Sequence, residues 1–130
     1  VRKRKAMPYA VCGGIKMRFE IPGRPMPKQR PRVGRYGNIY TPSETKAYEE
    51  LVGTVARQHC KEPLAGGIAV AIEVYGKNIG DLDNIAKSIL DGMAGIVYKD
   101  DRQVTELRIR KMSGDEEKAV VMVWQKGLQA

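Results

Sequence analysis

Five aspartates and one lysine sit where they could share one chemistry. Asp81, Asp83, Lys87 and Asp91 fall in the run Gly80-Asp81-Leu82-Asp83-Asn84-Ile85-Ala86-Lys87-Ser88-Ile89-Leu90-Asp91, and Asp100-Asp101-Arg102-Gln103-Val104 follows shortly after. On a helical wheel with Asp83 at zero, Lys87 lies at about 40° and Asp91 at about 80°, while Ile85, Ile89 and Met93 take the opposite arc. Acid, base and acid thus line the face away from the core. Taken alone, these three also fit an i, i+4 ion-pair ladder on a solvated face, with Asp83 as a helix cap. Asp81, just outside the helix, and Asp101, just before a strand, change the balance. Carboxylates collected at neighbouring element ends repel one another unless a cation or protons intervene. Mg²⁺ takes oxygen ligands of this kind together with water and substrate phosphate, and activates water for phosphoryl hydrolysis. That chemistry needs no histidine.

The rest of the inventory points the same way. His59 is the single histidine, beside Cys60 in an expected helix, where it caps or decorates. Cys12 and Cys60 lack the spacing of a zinc site or a disulfide framework, which reads as two reduced thiols. Catalysis must come from carboxylates, Lys, Arg and Tyr.

The elements that must position these groups are legible from periodicity. Met17, Phe19 and Ile21 alternate with charged residues, as in a half-buried strand. Residues 24–35, dense in Pro, Gly and cations, predict an extended loop without a regular ladder, carrying Lys28, Arg30, Arg32 and Arg35. Thr41-Pro42-Ser43-Glu44 is a helix start with Thr41 as cap and Glu44 completing a capping box. The helix carries a stripe of Ala47, Tyr48, Leu51, Val52, Val55 and Ala56, and Pro63 closes it. Residues 68–75 alternate as a second strand, a helix follows over 83–94, and strands are expected over 104–111 and 119–124, joined as a hairpin at Gly114-Asp115. The order β-α-β-α-β-β predicts an α+β domain over 15–130: a small mixed sheet of about four strands, with two helices mainly on one face. Residues 1–14 read as a basic, flexible arm.

At 130 residues the chain is one domain with a modest core. Twenty-three Lys and Arg against fifteen Asp and Glu give +8, an excess that suits a polyanion such as nucleic acid and equally keeps a surface soluble. No apolar run is long enough to span a membrane and no signal peptide opens the chain, so a cytoplasmic protein is expected.

From about Met17 to Trp124 the sequence resembles the RusA family of crossover-junction endodeoxyribonucleases, small phage and prophage proteins. The likeness is carried by the Pro-Lys-x-Arg-Pro-Arg loop, Tyr-Thr-Pro-Ser, G-D-x-D-N-x-x-K and D-D-x-Q-V. D-x-D-N-x-x-K is weak alone; combined with D-D-x-Q-V in this element order it is specific. The resemblance implies a homodimeric endonuclease that resolves Holliday junctions by paired symmetric nicks in recombination and repair. It implies Mg²⁺, with Mn²⁺ as substitute, and no organic cofactor. Asp81, Asp83 and Asp101 match the metal-binding carboxylates, and Lys87 the essential lysine beside the scissile phosphate. Asp91 and Asp100 match supporting acidic positions. Lys28, Arg30, Arg32 and Arg35 then read as a phosphate-gripping loop on branched DNA, with Tyr36 and Tyr40 flanking it unassigned. Other readings use the same residues: a flap or duplex nuclease, a non-catalytic DNA-binding protein, or a structural protein whose acids are only surface.

Overall fold

The computed structural model describes residues 16–40 and 42–126. The expected arm over 1–14, Cys12 and the capping Thr41 therefore lie outside the described residues. Four strands, β1 (Met17–Pro22), β4 (Ile68–Tyr75), β5 (Val104–Met112) and β6 (Lys118–Gln125), form a mixed sheet in the order β1-β6-β4-β5. Two short strands, β2 (Arg32–Val33) and β3 (Ile39–Tyr40), pair separately. Helices α1 (Ser43–His59) and α2 (Leu82–Met93) complete the α+β fold.

Alternation along the strands sets the layers. Ile68, Val70, Ile72 and Val74 of β4 face the helices with Phe19, Ile21, Val121 and Val123, and α2 answers with Ile85, Ile89 and Met93. The opposite sheet face carries a second buried cluster of Ala69, Ala71, Val120, Met122 and Trp124. Strand β4 lies inside the sheet because residues 68–72 are small or β-branched and apolar on both faces.

β4 and β5 run parallel, with Ile68 opposite Val104 and Tyr75 opposite Met112. A parallel pair needs a crossover, and α2 supplies it. The start of α2 thus lies by the end of β4, and its end by the start of β5. The hairpin expected at Gly114-Asp115 is not formed. β6 pairs with β4 and β1, so the chain leaves β5, steps over the end of β4 and returns on its far side. Tyr75 accordingly pairs with both Met112 and Lys118.

Other expectations shift by small steps. Pro42 occupies the cap position of α1 without a side-chain cap bond, and Asp81, rather than Asp83, takes that position on α2. Ala47 is exposed, and the buried stripe of α1 runs through Thr45, Tyr48, Val52, Gly53 and Ala56. The basic loop does make a ladder, the β2–β3 hairpin, because Gly34 and Gly37 supply a tight turn between its prolines and α1.

The two helices meet where neither has a side chain. A Cβ on Gly53 would lie 3.3 Å from the Gly92 carbonyl oxygen. One on Gly92 would lie 2.7 Å from Val52 Cβ and 2.8 Å from the Glu49 carbonyl oxygen. Backbone cannot yield there cheaply, so Gly92→Ala is expected to destabilise the protein by about 1–3 kcal/mol. A urea midpoint unchanged from wild type would show that the crossing is looser than this.

Candidate active site

The basic segment is held against both helices before it projects. Pro25 is buried, the Met26 carbonyl accepts a 2.6 Å bond from the Ser88 hydroxyl, and the Lys28 amide donates to the Asn84 carbonyl at 2.8 Å. Pro27 lies over Gly80, whose φ of +96° and 3.2 Å clearance for a Cβ leave no room for a side chain. The Gln29 amide donates to Thr45 Oγ1 at 3.2 Å. From this base Arg30 and, on the β2–β3 hairpin, Arg32 and Arg35 follow, all exposed and with no side-chain hydrogen bond or ion pair among the described residues.

Lys28 behaves differently from those arginines. Its ammonium sits 2.6 Å from Glu49 Oε2 of α1 and 3.1 Å from Asp91 Oδ2 of α2, with only 20% of the side chain exposed. Burial alone would lower its pKa; the hydrogen bonds to Glu49 and Asp91 outweigh that and raise it. It ties the loop to both helices. Lys28→Gln is accordingly expected to cost on the order of 1–3 kcal/mol in a urea melt, because two carboxylates lose their partner. Arg30→Ala should leave the melt unchanged and flatten the salt dependence of DNA binding by about one counterion. The reverse pattern would make Lys28 the phosphate contact and Arg30 the structural one.

Asp81, Asp83 and Lys87 occupy the exposed start of α2 beside this loop. The ion-pair ladder does not form: no bridge joins Asp83, Lys87 and Asp91, and Asp91 is engaged by Lys28 instead. The side chains of Asp81, Asp83 and Lys87 have no partner among the described residues, nor does Asp81 cap the helix with its carboxylate. Two carboxylates at the positive end of a helix dipole, with a lysine one turn on, are left to solvent and to whatever binds there.

The other acidic pair is built at the opposite end of α2. After the helix, the Gly95 amide donates to the Tyr98 carbonyl at 2.7 Å, and the buried Tyr98 hydroxyl donates to the Leu90 carbonyl. Burial, then the charges of Asp91 and Asp101, push the Tyr98 phenol well above its ordinary range. Asp100 caps the 3-10 turn Asp101–Gln103, accepting 2.9 Å bonds from the Arg102 amide and Nη2 and a 3.1 Å bond from Nε. Those bonds hold its carboxyl well below the usual range. Asp100 is thus occupied within its own turn, while Asp101 beside it is exposed.

Gln103 locks this turn in place. Its Oε1 accepts from the Lys99 and Asp100 amides at 2.9 and 3.2 Å, and its Nε2 donates to the Leu64 and Gly66 carbonyls at 2.8 and 3.0 Å. The signal was available: an Asp three residues before a Gln is capping-box spacing. Glu49 as the partner of Lys28 had no such signal, since only the fold brings α1 to that loop.

The expectation that the two acidic segments adjoin is not met within one chain. The twelve residues of α2 separate them, about 18 Å of helix. Among the described residues no three acidic, histidine or cysteine side chains lie close enough to share a metal ion. The donor chemistry fits Mg²⁺, being all oxygen and partnerless at Asp81 and Asp83; the full set of three does not meet in one copy. His59 stacks on Phe19 at 5.5 Å, and Cys60 is buried, its thiol donating to the Glu62 carbonyl at 3.1 Å.

Comparison with known proteins bears on this geometry. Residues 22–124 match the family model described as Endodeoxyribonuclease RusA. The chain is also similar to an uncharacterized protein of Bacillus subtilis (strain 168), YqaN, at 27% identity over 82% of this chain and 94% of that protein. The family match spans both acidic segments and the basic loop.

Proposed function

Because the chain belongs to the RusA family of endodeoxyribonucleases, we propose that it is a Mg²⁺-dependent nuclease that resolves four-way DNA junctions, as a homodimer, in recombination and repair. The observation that carries this reading is the partnerless Asp81, Asp83 and Lys87 at the start of α2, beside a loop that presents three free arginines.

Asp81, Asp83 and Asp101 would hold the metal, with Mn²⁺ as a substitute. When bound, it supplies an activated water and offsets charge on the leaving oxygen. The α2 crossover keeps Asp101 away from Asp81 and Asp83 in one chain, so a second copy, related by a two-fold axis, would contribute it. Lys87, one turn into the helix, places a positive charge beside the scissile phosphate and stabilises its transition state. Asp91 holds Lys28 and so fixes the base of the loop; Asp100 and Gln103 fix the turn that carries Asp101. Arg30, Arg32 and Arg35 grip phosphates. Two sites on a dyad match the near two-fold symmetry of a four-way junction and favour paired nicks.

The test is cleavage of a synthetic four-way junction beside linear duplex and flap DNA, with and without Mg²⁺. Paired symmetric nicks in the junction alone, only with metal, are expected. Metal-dependent cutting of all three DNAs would keep the nuclease and discard the junction selectivity. Binding without cutting, in Mn²⁺ as well, would make this a DNA-binding protein without catalysis.

A further inference from the structure

Exposed large hydrophobic residues of the described chain gather on the β2–β3 hairpin. Tyr36 is 89% exposed, Ile39 75% and Val33 71%, and these three with Tyr40 are four of the five exposed large hydrophobic residues among the described residues. A ladder of two residue pairs contributes little stability of its own. Leaving such residues bare on a short projecting ribbon is unfavourable unless something covers them in use.

The pairing sorts these side chains. Val33 is opposite Ile39, so both lie on one face; Arg32 is opposite Tyr40, so a cation and an aromatic ring share the other. The Gly37 amide donates to the Gly34 carbonyl at 3.0 Å, and Gly37 has φ of +82°. Arg35 and Tyr36 are therefore the two central residues of the turn, at the tip. An exposed guanidinium and an exposed phenol ring at adjacent tip positions suit a phosphate next to an unstacked base.

We propose that this hairpin tip is a branch-point reader: Tyr36 stacks on a base exposed where the strands exchange, while Arg32 and Arg35 hold the flanking phosphates. The occupant is DNA because the apolar tip is framed by Arg30, Arg32 and Arg35, none of which has a protein partner among the described residues. A linear duplex keeps its bases stacked and offers Tyr36 nothing, so the contact selects branched DNA. This inference rests on the junction-directed function proposed above.

The full-length protein, Tyr36→Ala and Tyr36→Phe are titrated without divalent metal against a four-way junction and a linear duplex. The junction carries 2-aminopurine at a central pair. Tyr36→Ala is expected to weaken junction binding on the order of ten-fold, to leave duplex binding unchanged and to abolish the fluorescence change on binding. Tyr36→Phe should keep all three, and the exposure of Tyr36 means that thermal melting should not move. A wild-type preference for the junction that survives Tyr36→Ala would overturn this inference and leave the proposed function standing. Equal wild-type affinity for both DNAs would also overturn this inference, whereas the proposed function fails only in the cleavage test above. Loss of dimerisation in Tyr36→Ala, seen by sedimentation, would assign the tip to a second copy of the chain and overturn the DNA contact.

Discussion

Asp83→Asn is expected to reduce junction cleavage by more than about 100-fold, beyond what losing an outer partner of a metal ligand costs, while junction affinity stays at or above wild type. The exchange preserves shape and removes one anionic oxygen donor. It leaves the arginine hairpin untouched, and it lowers the negative charge that DNA must approach. Stability should fall by less than about 1 kcal/mol, because Asp83 has no side-chain partner and only its interaction with the α2 dipole is lost. Single-turnover cleavage, filter binding and a thermal melt on one preparation separate these quantities. Cleavage at the wild-type rate would sink the metal assignment. A melt lowered by several kcal/mol would instead mean that Asp83 holds the fold.

Lys87→Met is expected to slow the chemical step by about 100- to 1000-fold, the range for removing one charge-stabilising donor. Methionine keeps an unbranched side chain and a good helix former, so α2 should be undisturbed. Lys87 is exposed and pairs with no carboxylate among the described residues, so its charge is not used by the fold. The loss should appear in the rate at saturating enzyme, with the salt dependence of binding changed by no more than about one counterion. A rate within about ten-fold of wild type would return Lys87 to an ordinary solvated surface.

The fold was largely legible from periodicity because its core strands alternate cleanly. Ile68 to Val74 and Phe19 to Ile21 identify their own buried faces, and α2 shows its apolar arc through Ile85, Ile89 and Met93. The pairing of β6 was not legible. Gly114-Asp115 carries ordinary turn chemistry, and nothing local says that the chain must step over β4 before pairing. The hairpin at Arg32–Tyr40 was hidden by the prolines before it, although Gly34 and Gly37 bracket a turn. In the candidate site, helical spacing lines up Asp83, Lys87 and Asp91, and the family resemblance singles out Asp81, Asp83, Lys87 and Asp101; neither gives their separation. Proximity in sequence suggested one cluster; a parallel strand pair places the segments before and after its crossover helix at opposite ends of it. Lys28 read as one cation among several, and only the packing of α1 against α2 gives it Glu49 and Asp91 as partners.

That crossover has a consequence for how such an enzyme is kept in check. One copy holds Asp81 and Asp83 at one end of α2 and Asp101 at the other, so under the shared metal site proposed above a solitary copy would be an unarmed half. On that reading, dilution below the dissociation constant of the pair would switch cleavage off. Two inactive copies could also repair one another. Mixed dimers of Asp83→Asn and Asp101→Asn would regain one complete site, and would nick a single strand where the wild type cuts two.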